Sequence, residues 1–127
     1  MNNVTIETSD APAAVGAYSQ GKIAGNMIFT SGQLGLEPES GKLAGAEVEV
    51  EARRALENVI AVVKAGGGDV ETIVKTTVYL VDLDDYEVIN SVYKSFFGDA
   101  LPARAVIEVA GLPRGMRLEI EAIALVR

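Results

Sequence analysis

Arg104 lies in Leu101-Pro102-Ala103-Arg104-Ala105-Val106-Ile107, among small or apolar neighbours, and strand alternation puts it on the same face as Val106. An arginine projecting from a largely buried strand needs an anionic partner, because an unpaired buried charge is costly. Two partners fit. One is a ligand carboxylate, which the planar guanidinium fork clamps through two parallel hydrogen bonds. The other is an internal ion pair with Glu108, Glu119 or Glu121. Glu119 and Glu121 flank Ile120 and therefore share one strand face. A carboxyl in a partly apolar site beside a second carboxylate is expected to have a raised pKa, which suits a general base. The alternative is a solvated edge, or a pair balanced by Arg117.

Polar loop residues form a second set. Tyr18-Ser19-Gln20 and Ser31-Gly32-Gln33 place hydroxyls and amides near glycines that let backbone approach a ligand, or that serve turn geometry alone. Asn90 falls among apolar residues of a helical segment, where its amide needs partners: a ligand, or a nearby loop. Gly66-Gly67-Gly68 lacks the Lys-Ser/Thr of a phosphate loop and follows a helix, so it reads as a helix stop.

The composition narrows the chemistry. The chain contains no histidine and no cysteine. Zinc hydrolysis, Ser-His-Asp catalysis, thiolate chemistry and disulfides are all excluded, which leaves Glu, Asp, Tyr, Lys, Arg and backbone groups. A formal charge of −7 repels polyanions and argues against nucleic acid as a partner. No apolar run approaches the roughly 18 residues that span a bilayer, so no membrane association is expected. The N-terminus from Met1 to Thr5 lacks a basic patch followed by an apolar stretch, making the cytoplasm the expected compartment.

The elements that must hold these residues follow from periodicity. Val4 to Glu7, Lys22 to Ala24 and Met27 to Ser31 read as strands, with Gly25-Asn26 as a tight hairpin turn. Between Glu47 and Lys64, Val48, Ala52, Leu56, Val59, Ile60 and Val63 recur at helical spacing. Ile73 to Val81 reads as a strand. A second helix is predicted from Asp84, with Glu87 as capping-box partner, to near Gly98, its apolar side being Val88, Ile89, Val92, Tyr93, Phe96 and Phe97. Ala103 to Val109 and Arg117 to Val126 complete six strands. The expected fold is α+β in one domain, residues 1–127, with two helices covering one face of the sheet. In the last strand Leu118, Ile120, Ala122 and Ala124 point one way, Ile123 and Leu125 the other. Both faces need burial, and self-association is the simplest cover for the second.

Five segments then coincide, in order and spacing, with one family. Gly16-Ala17-Tyr18-Ser19-Gln20-Gly21, Phe29-Thr30-Ser31-Gly32-Gln33, Ala55-Leu56-Glu57-Asn58-Val59, Pro102-Ala103-Arg104 and Leu118-Glu119-Ile120-Glu121-Ala122 resemble the motifs of the RidA (YjgF-type) proteins. The resemblance spans nearly the whole chain. It implies a chorismate-mutase-like fold, a homotrimer with sites in the clefts between subunits, and hydrolysis of 2-imino acids to 2-keto acids and ammonia. The substrates would be imines and enamines released by pyridoxal-phosphate-dependent dehydratases, such as 2-iminobutanoate and 2-iminopropanoate. Arg104 matches the carboxylate clamp and Glu119 the acid/base that handles the attacking water. Tyr18, Ser31 and Asn90 match pocket residues, with the backbone of Gly32 beside them. No metal or redox cofactor is implied. Val106 stands where many relatives carry cysteine, and Ala17 where many carry proline. The same clefts would also suit a non-catalytic binding trimer for keto or amino acids, and chaperone and ribonuclease activities have been attached to the family.

Overall fold

Aliphatic and β-branched residues in alternation build six strands in the computed structural model, which describes residues 3–127. They are β1 (Asn3–Ile6), β2 (Gly21–Ala24), β3 (Met27–Thr30), β4 (Ile73–Leu80), β5 (Ala103–Glu108) and β6 (Leu118–Leu125). The helices are α1 (Val48–Ala65) and α2 (Tyr86–Phe97). Met1 and Asn2, part of the N-terminal segment read above, lie outside the described residues. The strands form one mixed sheet in the order β1-β2-β3-β6-β4-β5. Only β4 and β5 are parallel, and α2 is their crossover. At the β2–β3 turn Ala24 pairs with Met27, and Gly25 takes the left-handed φ of 63° that a two-residue hairpin requires.

Both helices pack on the face formed by Ile28, Val78, Leu80, Leu118, Ile120 and Ala124, all at most 1 % exposed. Each large aliphatic side chain buried there contributes about 1.5–3 kcal/mol. The opposite face carries Phe29, Ile107 and Leu125 at 39 %, 43 % and 37 % exposure, so the second face is uncovered in the protomer. Val88 departs from the apolar side expected for α2: it is 43 % exposed, and the buried stripe is Ile89, Val92, Tyr93 and Phe97. One residue of offset turns Val88 about 100° away from Ile89, past the edge of the core. The start of α2 also differs. A short 3-10 turn occupies Leu83–Asp85, the Asp82 carboxylate accepts from Asp84 N at 2.9 Å, and Asp85 precedes the helix without a side-chain cap. Asp82 thus makes the turn, where the sequence predicts a capping box at Asp84.

Two polar residues inside α1 position the loops of the site. Asn58, fully buried, donates to Leu34 O and Leu36 O at 2.9 Å each and accepts from Arg54. Glu51, 1 % exposed, accepts from Arg117 N, Arg117 Nε and Leu118 N at 2.7, 2.7 and 3.2 Å. This carboxylate fastens the start of β6 to α1. Glu51→Ala is expected to lower unfolding free energy by about 3 kcal/mol, because the Arg117 guanidinium and two backbone donors lose their acceptor. An unchanged urea midpoint at constant m-value would contradict it.

Candidate active site

Arg104 pairs with Thr76 across the parallel β4–β5 ladder, which places both on the helix-covered face. Its Nη1 donates to Asn90 Oδ1 at 2.8 Å and its Nη2 to the Tyr86 hydroxyl at 2.9 Å. The guanidinium carbon lies 4.7 Å from the Tyr93 ring centroid and 5.7 Å from that of Tyr86. Cation–π attraction and neutral acceptors therefore hold the charge in place without cancelling it. Tyr93 is anchored in turn by a 2.6 Å hydrogen bond to Thr76, and burial raises its phenol pKa, keeping it protonated. Among the described residues no carboxylate is ion-paired with Arg104, so the internal partners Glu108, Glu119 and Glu121 are not used. Glu108 instead accepts from Leu83 N.

Glu119 lies opposite Tyr79 in the antiparallel β4–β6 pair, on the uncovered face of the sheet. Backbone bonds in both directions between Gln33 and Ile120, at 2.8 and 3.0 Å, bring the loop after β3 against β6. Gly32 then sits on the Glu119 carboxylate so closely that a Cβ there would be 2.7 Å from Glu119 Cδ. Any side chain at this position would have to displace the Glu119 carboxylate. Ser31 Oγ donates to Ser19 O at 2.5 Å, tying the Tyr18 loop to the same place. Buried Gln20 fixes the other side of that loop, donating to the carbonyls of Thr8, Ala11 and Pro12. Tyr18, Ser31, Gly32 and Glu119 thereby line one cavity of about 740 Å³, with Leu34 and Arg114 on its walls. Arg114, at a left-handed φ of 61°, donates to Gly41 O at 2.7 Å and closes the rim. Burial raises the Glu119 pKa first, and the negative charge of Glu121 adds to it. Arg117 does not balance this pair, since its side chain is bound to Glu51. A larger groove of about 970 Å³ runs along α1 beside Arg54 and Lys64 and touches neither Arg104 nor Glu119.

The six residues singled out in the sequence thus form two groups. Tyr18, Ser31, Gly32 and Glu119 share the cavity; Arg104 and Asn90 share a place under α2. The sheet separates the groups within one protomer, because Arg104 and Glu119 project from opposite faces. Gln20 and Gln33, read as polar loop residues, serve the geometry of their loops, and Tyr86 escaped the sequence reading. Tyr86 carries a usable signal: it precedes Asn90 by four residues, the spacing that puts two side chains on one helix face.

An α+β protein with an arginine held by neutral groups, and a carboxylate of raised pKa beside a glycine loop, is equipped to bind an anion and to move a proton. Comparison with known proteins gives this class a family. Residues 8–126 match the family model described as Endoribonuclease L-PSP. The 2-iminobutanoate/2-iminopropanoate deaminase of Rattus norvegicus is 50 % identical over 120 residues, 94 % of this chain and 88 % of that one. Its counterpart in Escherichia coli K12 is 48 % identical over 126 residues, 97 % and 98 % of the two chains. Among solved structures, the YjgF gene product of E. coli superposes with a TM-score of 0.93 at 48 % identity, covering 98 % of this chain and 99 % of that one. E. coli TdcF with bound serine gives 0.93 at 46 %, with the same coverage. The chain belongs to the L-PSP family, whose RidA (YjgF-type) members its motifs resemble.

Proposed function

We propose that the protein is a 2-iminobutanoate/2-iminopropanoate deaminase, a hydrolase acting on C–N bonds. The observation that carries this reading is an arginine whose charge no carboxylate among the described residues neutralises, in a chain half identical to a deaminase of that name. Arg104 binds the substrate carboxylate. Glu119 takes a proton from water as it adds to the protonated imine carbon, then returns a proton to nitrogen. The carbinolamine then expels ammonia while Glu119 takes up its hydroxyl proton, leaving a 2-keto acid. Proximity and proton handling suffice, because a protonated imine is already electrophilic. Among the described residues no helix is long and apolar enough to cross a membrane.

The separation of Arg104 from Glu119 supports a site shared between copies, in a homotrimer of chorismate-mutase-like single domains covering residues 1–127. The exposed apolar residues Phe29, Ile107 and Leu125 provide a face for such contacts. A direct test is keto-acid formation in a threonine-dehydratase-coupled assay, which generates 2-iminobutanoate in place. Wild type is expected to accelerate it, while Arg104→Ala and Glu119→Gln do not. Co-expressing the two variants in equal amounts gives about one interface in four with both native residues, and about a quarter of wild-type activity should return. Mixed oligomers with no recovery would rule out the shared site. Absence of acceleration by wild type, with retained keto-acid binding, would instead favour a non-catalytic binding trimer.

A further inference from the structure

Tyr86 is the group at Arg104 that neither the motifs nor the proposed reaction has used. Its hydroxyl oxygen accepts from Arg104 Nη2 at 2.9 Å, so its own proton is not given to the arginine. Among the described residues the Tyr86 hydroxyl donates to no protein acceptor. A guanidinium carries five N–H donors. Two are taken, one by Asn90 Oδ1 and one by Tyr86, which leaves three N–H groups and one O–H around the same cation. A bidentate carboxylate takes two of the N–H groups and has lone pairs left for a further donor. The hydroxyl hydrogen can rotate to meet it. Tyr86 is half-buried at the first residue of α2, and its ring also faces the guanidinium, 5.7 Å from centroid to carbon. Its position is therefore set by both the helix and the arginine.

We infer that Tyr86 is an additional substrate-binding residue: its hydroxyl fixes one arm of Arg104 and donates a further hydrogen bond to the substrate's carboxylate. This inference rests on the deaminase reading only for the identity of the substrate. The anion site itself would serve any 2-keto or 2-imino acid. At Asn90 the oxygen that accepts from Arg104 has no proton to give, whereas a phenol accepts and donates at one atom.

The test compares wild type with Tyr86→Phe, which keeps the ring and removes only the hydroxyl. Two readouts are needed: steady-state keto-acid formation, and calorimetric titration with 2-oxobutanoate. The expected result is a KM raised about tenfold with kcat within a factor of about two, and an affinity for 2-oxobutanoate weakened by the same factor. A merely structural tyrosine would lower kcat or folded content without this matched split. Equal KM and equal affinity in the two proteins would overturn the inference and leave the deaminase reading intact. If wild type shows no turnover, the deaminase reading fails, and the titration still decides the tyrosine: a tenfold loss supports it, equal affinities refute it. A wild type that does not bind 2-oxobutanoate removes the anion site and the inference with it.

Discussion

Replacing Arg104 with alanine is expected to lower kcat/KM for keto-acid formation by about 10²- to 10⁴-fold. The two hydrogen bonds of a bidentate carboxylate contact are each worth about 1.5–3 kcal/mol because donor and acceptor are both charged. Most of the loss should fall on KM, since the carboxylate stays ionised from bound substrate to transition state and is gripped alike in both. Arg104→Lys should recover little. Its ammonium keeps the charge but offers no planar fork, and the acceptors at Asn90 and Tyr86 are spaced for a guanidinium. Folding should survive, because the residue is only half-buried on edge strand β5. Kinetics and 2-oxobutanoate titration of the three proteins check this. A value of kcat/KM for the alanine variant within about threefold of wild type would mean that the clamp is elsewhere.

The second large effect is expected at the opposite half of the site. Glu119→Gln should reduce kcat by about 10²- to 10⁴-fold, the usual contribution of a positioned base, while 2-oxobutanoate still binds. Loss of binding together with turnover would make Glu119 a ligand contact instead. Its pKa gives a pH signature. A base works when ionised, so kcat/KM should rise with pH along a limb centred above the ordinary carboxylate value. Glu121→Gln removes the smaller cause of that shift and should move the limb to lower pH, stopping short of the ordinary value because burial remains. Stability shows the same linkage. Between the ordinary and the raised pKa the folded carboxyl keeps a proton that the unfolded chain has released, so stability falls as pH rises through that window. Above it Glu119→Gln, which cannot ionise, should be more stable than wild type, a measurable cost of keeping a base in this place. A limb that persists unchanged in Glu119→Gln would point to another base.

Local physics wrote much of this protein into its residue order. Helical spacing in α1, alternation in β6 and the Gly25-Asn26 turn placed the elements within two residues of where they stand. The absence of histidine and cysteine left Glu, Asp, Tyr, Lys, Arg and backbone groups as the means of catalysis, and Arg104 and Glu119 stood out among them for their apolar surroundings. Those features depend on a few neighbouring residues, so the sequence alone determined them. Long-range partners are another matter. Whether Arg104 met Glu108, Glu119, Glu121 or none of them turned on strand order and on which face each strand presents. The parallel β4–β5 register turned Arg104 toward Asn90 and Tyr86, and the antiparallel β4–β6 register turned Glu119 away from it. Arg117, equally available by sequence, was drawn to Glu51, which lies 66 residues earlier. Gly32 gained its bearing on Glu119 only when the Gln33–Ile120 bridge pressed its backbone against that carboxylate. Pairing across such distances is decided by the summed packing of the whole sheet, and only the tertiary structure could divide the site residues between its two faces.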